Sequence, residues 1–251
     1  MSDSPWKPLG KNFYGVVDAG SRPVVSLLVN QRIGQASQLL DSGDVEGAAA
    51  VIDNLLTKPR FGIGELEVLG AWCCSVKLYA QSVAALQRAV AMAPTDKQSI
   101  YLLAYALAKF GRFKEAIEWG EKGAAIPPVQ PGEASLLAKA YHCLGSQGGD
   151  PATYLAYFVQ SAKWYRRTVE MNKDDWLARY DYGYVLNILK EYGDAEKTLR
   201  ASLEINPTYS KTYRELELSL SKQGKLPALY SIRAQRKREE EAGRLNDNIV
   251  I

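Results

Sequence analysis

The chain has 251 residues, 47% hydrophobic and 24% charged. That is ordinary globular usage, with length for two small domains or one repeat array. Its 31 basic and 28 acidic residues leave a net charge of +3, too balanced to point to nucleic acid or an anionic membrane surface as partner.

Residues 1–28 read as an N-terminal extension, in which Trp6, Phe13 and Tyr14 stand among Pro5, Pro8, Pro23, Gly10, Gly15 and Gly20. No apolar core of a secretory signal is expected here, and the short stretch from Val24 to Val29 falls far below the roughly 20 residues of a membrane span. Three aromatics are unusual in a disordered tail, so the extension is expected to dock, on this chain or on a neighbour.

From residue 29 the sequence repeats. Leu69, Leu103 and Leu137 lie 34 residues apart, as do Ala48, Ser82 and Ala116, and Val45, Tyr79 and Phe113. After a step of 45 the series resumes with Phe158, Tyr192 and Leu226, and with Ser161, Ala195 and Leu229. A period of this size signals stacked supersecondary units. Each unit reads as helix, tight turn, helix, short loop. In residues 97–130, Tyr101 to Phe110 is helical, Gly111 supplies the left-handed exit, and Pro128 stops the second helix. Six units are predicted, at about 29–62, 63–96, 97–130, 131–175, 176–209 and 210–243, followed by a C-terminal tail, 244–251.

These residues resemble the tetratricopeptide repeat (TPR) family. Its pattern of large, small, large, aromatic, small and proline is carried by Leu69, Gly70, Cys73, Tyr79, Ser82 and Pro94. It recurs as Leu103, Ala104, Leu107, Phe113, Ala116 and Pro128, and as Tyr182, Gly183, Leu186, Tyr192, Ala195 and Pro207. The resemblance implies an all-α fold, a right-handed α-solenoid of about six helix–turn–helix repeats. Small residues at the eighth and twentieth positions would let the two helices of a pair cross closely.

The departures are informative. The fourth unit carries an 11-residue excess near Ser146 to Ala156, with Asp150-Pro151 set to start a long second helix. Gly120 and Gly123 of the third unit are expected to leave room for large side chains of the fourth. The last unit has Glu217 where a small residue belongs and Leu229 opposite, so its helices are expected to sit apart. Arg233 and Arg236 replace residues that would pack on a next repeat, which reads as a charged end cap facing outward.

No reaction centre emerges. His142 is the single histidine, and the adjacent Cys73 and Cys74 point about 100° apart on a helix, which rules out a shared metal. Neither a phosphate loop nor a nucleophile–base pair is evident. The expectation is a protein that is not an enzyme and needs no cofactor or metal.

In TPR proteins the first helices line a concave groove. Carried onto this sequence, that implies peptide-binding residues Tyr101, Tyr105 and Lys109 in the third unit, Lys139 and His142 in the fourth, Tyr180, Tyr184 and Asn187 in the fifth, and Lys211 and Arg214 in the sixth. Tyrosine offers apolar area with a polar tip, and the lysines and arginine favour an acidic segment. The family's carboxylate-clamp pattern is not matched by any three consecutive repeats. The expected role is a cytoplasmic protein–protein adaptor or scaffold that holds a protein segment in the groove. The alternative is a structural subunit that contacts like or unlike subunits through its termini and convex surface. Neither nucleic acid nor membrane is expected as partner.

Overall fold

The computed structural model describes residues 26–58 and 60–247; the expected docking of Trp6, Phe13 and Tyr14, and the apolar end at residues 249–251, lie outside them. Among the described residues are twelve α-helices: α1 (Leu27–Asp41), α2 (Val45–Leu56), α3 (Ile63–Ser75), α4 (Tyr79–Met92), α5 (Lys97–Lys109), α6 (Phe113–Ala124), α7 (Pro131–Ser146), α8 (Pro151–Met171), α9 (Trp176–Ile188), α10 (Tyr192–Ile205), α11 (Ser210–Lys222) and α12 (Leu226–Glu241). The chain forms two compact units, one ending at Val129 and the other beginning at Gln130.

In the first unit, α1 packs on α2, α3 on α4 and α5 on α6, while α4 and α3 both contact α5. The apolar positions of the period supply the core: Ala48, Ile52, Leu66, Leu69 and Cys73 are fully buried. In the second unit, α7 packs on α8, α9 on α10 and α11 on α12, with α9 also against α11. Its core is built from Tyr165, Val185, Leu186, Leu199, Tyr213, Leu216 and Leu220.

The small residues act as the period implies. The Ser82 hydroxyl donates to the Gly70 carbonyl at 2.7 Å, and Ser161 to Ala138 at 2.8 Å, so the eighth and twentieth positions of a pair meet backbone to side chain. A Cβ on Gly70 would lie 2.5 Å from Leu86 Cγ, and one on Gly183 2.5 Å from Leu199 Cγ. The missing side chain therefore admits a leucine as well as a close helix crossing.

The turn inside each pair also repeats. The amides of Asp44, Leu78, Arg112, Glu191 and Lys225 reach back to the carbonyls of Leu39, Cys73, Leu107, Leu186 and Leu220, at 2.8 to 3.0 Å. This is the six-to-one bond of a left-handed helix exit. The left-handed residue is Gly43, Gly111 or Gly224 in three pairs, but Lys77 (φ 67°) and Lys190 (φ 62°) in the other two.

The excess in the fourth pair is shared out. Helix α7 has 16 residues where α3, α5, α9 and α11 have 13, and α8 has 21 where α4 and α10 have 14. Gly145, in register with the turn glycines, stays helical, and its Cα sits against Phe158, whose ring would lie 3.1 Å from an added Cβ. Gly148 and Gly149 make the exit instead, with φ of 82° and 123°.

Gly123 faces Ile100 of its own pair, 3.1 Å from a notional Cβ. The expectation for the last pair is corrected. The helices of the last pair do not sit apart: α12 packs on α11, with Leu229 and Ile232 buried between them. Arg233 and Arg236 are not simply aimed at solvent, since each lies 3.2 Å from the Glu217 carboxylate on α11.

Candidate functional site

In the second unit the predicted residues fall on α7, α9 and α11. His142 of α7 stacks on Tyr184 of α9 with ring centroids 5.3 Å apart and planes 22° from parallel, and Phe158 lies 5.8 Å away on its other contact. Nδ1 of His142 is buried without a hydrogen-bond partner. Burial, helped by the nearby Lys139 ammonium, pushes the imidazole pKa down to about 4, so the ring is neutral at neutral pH and serves as an aromatic plate.

Further along α9, Tyr180 meets Tyr209 edge-on at 5.0 Å, and Trp176 meets Tyr209 at 5.2 Å. The Lys211 ammonium stands 6.0 Å over the Tyr209 ring. Burial raises the Tyr180 phenol well above its usual range and raises that of Tyr184, so both remain donors. Tyr209, 3% exposed, is a residue the sequence reading missed. It stands in register with Asp96 and Asp175, and an aromatic at a helix-capping position was the available signal.

Asn187 is drawn into the wall of the site. Its amide donates to the Glu215 backbone carbonyl at 3.0 Å and carboxylate at 2.9 Å, and its carbonyl oxygen accepts from the Ser219 hydroxyl at 2.7 Å. Desolvation raises the Glu215 pKa and the Asn187 bond opposes it. Arg214 lies at the end of this surface, 3.6 Å from the Asp247 carboxylate of the C-terminal segment.

In the first unit, Tyr101 and Tyr105 lie on α5 with ring centroids 6.4 Å apart, and the Lys109 ammonium stands 5.4 Å from the Tyr105 centroid. Tyr105 is buried apart from a 9% edge, and burial raises its phenol pKa. On the neighbouring α3, Glu67 accepts from the Ser99 hydroxyl at 2.7 Å, and desolvation raises its carboxyl pKa. The predicted residues thus form two groups, one on α5 and one on α7, α9 and α11.

Chemically, both surfaces offer aromatic area edged by cations. Burial holds the Cys74 thiol at a pKa of about 11 and pushes Cys73 higher still, so neither is a thiolate at neutral pH. Among the described residues no group of three His, Cys, Asp or Glu side chains is placed to hold a metal.

The family model "Tetratricopeptide repeat" matches residues 78–131 and 160–210. No curated protein matches the sequence significantly. Solved structures share the fold. MamA (AMB-1) superposes with a TM-score of 0.62 at 17% identity, over 71% of this chain and 92% of its own. MamA (MSR-1) gives 0.61 at 16% identity, over 72% and 98%. TTC0263, described as a thermophilic TPR protein in Thermus thermophilus, gives 0.51 at 23% identity, over 73% and 93%. The chain thus carries stretches that match the tetratricopeptide repeat at 78–131 and 160–210, and its succession of helix pairs is the fold of these solved structures.

Proposed function

We propose that the chain is a non-catalytic adaptor or scaffold that binds a segment of another protein along the first helices of its repeats. The observation that carries this reading is the surface of α7, α9 and α11, where His142, Tyr184 and Tyr180 form a run of aromatic plates bordered by Lys139, Lys211 and Arg214. Rigid aromatic plates give contact area at little entropic cost, and the cations select for an acidic segment. The α5 group, Tyr101, Tyr105 and Lys109, offers the same chemistry in the first unit. All three cysteines are thiols, which suits a reducing compartment, and the cytoplasm is proposed as the location. No helix among the described residues is long and apolar enough to cross a membrane.

The test begins with capture from the native host and identification of the bound protein. Tyr184→Ala and Lys211→Ala are each expected to weaken the verified partner at least tenfold, with circular dichroism unchanged. The affinity is also expected to fall with added salt. Unchanged affinity in both variants overturns the site.

A second reading, a structural subunit of a larger assembly, is favoured by one observation. Ala152, Leu155 and Ala156 on the added turns of α8, with Val159 just beyond them, make an exposed stripe, Leu155 being 38% and Val159 52% exposed. Light scattering across a dilution series checks it. A mass that falls on dilution, and that Leu155→Glu reduces to the monomer, supports assembly; a constant monomer removes it.

A further inference from the structure

The C-terminal segment returns to the first turn of α11. Gly243, at φ 63°, reverses the chain after α12, and Arg244 fixes the turn by pairing with Glu239 at 2.6 Å. Asn246 then lies parallel to Tyr209 in a β-bridge. Its amide donates to the Thr208 carbonyl at 2.9 Å, and its own carbonyl accepts the Ser210 amide at 2.9 Å. Its side-chain amide reaches Thr208 Oγ1 at 3.3 Å. Asp247 accepts from the Ser210 hydroxyl and faces Arg214 at 3.6 Å. Leu245 packs on the core of the unit.

This segment fills a gap specific to α11. The first helices of the preceding pairs carry their caps locally. Asp96 accepts from the Ser99 amide and Asp175 from the Ala178 amide, while Glu65 and Glu133 reach back to the amides of Gly62 and Gln130. In α11 the capping position is Tyr209, whose side chain makes no cap bond. A helix start leaves amides unsatisfied and favours an acid. Asn246 and Asp247 supply both from 37 residues away, counted from Tyr209 and Ser210.

We infer that residues 244–247 are an intramolecular ligand: the first turn of α11, with Thr208, Ser210 and Arg214, is a docking site for an extended Asn-Asp segment, and the chain's own tail occupies it until an acidic partner displaces it. The inference rests on the peptide-binding reading above, because Arg214 belongs to both sites. A tethered ligand competes at high effective concentration, so the tail sets a threshold that a partner must exceed. The extended pairing gives backbone hydrogen bonds, and Asp247 gives selectivity for acid.

The experiment needs no knowledge of the partner, so its failure is distinct from failure of the adaptor reading. In the full chain the Asn246 amide is expected to exchange hydrogen at least tenfold more slowly than in a free peptide of residues 244–251. A chain ending at Gly243 is then titrated with that peptide, followed by NMR. It is expected to bind at least tenfold more tightly than the full chain does. Asp247→Lys in the peptide is expected to abolish binding, and Arg214→Glu in the shortened chain to restore it. If the shortened chain does not fold, full-length Asn246→Pro, which loses the amide donated to Thr208, replaces it. An unprotected Asn246 amide overturns the docking. Equal or absent peptide binding by the folded shortened and full chains overturns the ligand role and leaves the tail a cap only.

Discussion

Glu217 accepts from Arg233 at 3.2 Å in the place where, one repeat earlier, Gly183 lies under Leu199. The two pairs are in register, yet one is a buried steric contact and the other an ion pair whose carboxylate is only 12% exposed. A second arginine, Arg236, approaches the same carboxylate at 3.2 Å. The pair α11–α12 thus closes while the face that carries Arg233 and Arg236 stays charged. Glu217→Gln is expected to cost about 1 kcal/mol, since both arginines are partly solvated. The double change Glu217→Ala with Arg233→Leu is expected to stay within about 1 kcal/mol of the parent, because a packed apolar contact replaces the ion pair. It should also lay bare an apolar edge. Urea denaturation reads the first effect, and sedimentation velocity the gain in self-association.

The absent side chain at Gly183 can be tested in the same unit. An added Cβ would lie 2.5 Å from Leu199 Cγ and 2.7 Å from Cδ2, and Leu199 is fully buried. Gly183→Ala is therefore expected to destabilise by about 1–2 kcal/mol, an overpacking cost only partly offset by better helix propensity. Gly70→Ala, against Leu86, should behave alike. Gly34→Ala in α1 meets nothing within 4 Å and is expected to stabilise by up to about 1 kcal/mol. Thermal melts of the three variants separate crowding from propensity.

The contrast between Gly183 and Glu217 marks how far the sequence could be read. The 34-residue recurrence identifies the buried positions, because a helix face is set by local spacing, and the starts of α5, α9 and α11 follow from it. The partners of Glu217 did not follow, since a salt bridge between residues 16 apart depends on where two helices cross. Gly145 was indistinguishable in sequence from the turn glycines; Gly148 and Gly149, three and four residues on, release it to remain helical. Within the candidate site, the tyrosines of α9 were singled out through the family resemblance, but Tyr209, Glu215 and Asp247 were not. Their roles arise from contacts made through space, and in the case of Asp247 from a chain reversal after α12.

Lys77 and Lys190 occupy the left-handed position that glycine fills in three other pairs, with φ of 67° and 62°. A residue with a Cβ pays about 1 kcal/mol or more there, while glycine loses somewhat more entropy on folding. Neither Lys77 nor Lys190 is buried, so little packing is lost on substitution. Lys77→Gly and Lys190→Gly are each expected to stabilise by about 0.5–1 kcal/mol, and additively, because they lie in different units. Gly111→Ala (φ 85°) should destabilise by about 1 kcal/mol or more. Chemical denaturation of the single and double variants checks both signs.

His142 sets an acid limit on the second unit. Its folded pKa is lowered to about 4, first by burial and then by Lys139, from an ordinary value of 6.5. A histidine held neutral in the fold binds its proton more readily when unfolded. Its contribution is therefore fully present above pH 6.5 and is lost as pH falls toward 4, by on the order of 2–3 kcal/mol. Glu215, whose carboxyl pKa is raised mainly by desolvation, works in the opposite direction, its contribution being lost as pH rises. The lowered carboxyls of Glu196 and Glu239 add their own acid loss. The histidine is isolated by comparison with His142→Phe, which keeps an aromatic plate against Tyr184 and cannot titrate. The stability difference between parent and variant is expected to be flat above pH 7 and to shift toward the variant between pH 6.5 and 4, when unfolding by urea is followed at each pH. A difference that does not change with pH would show that the ring meets solvent in the folded chain, and that the aromatic run from α7 to α9 is open at its centre.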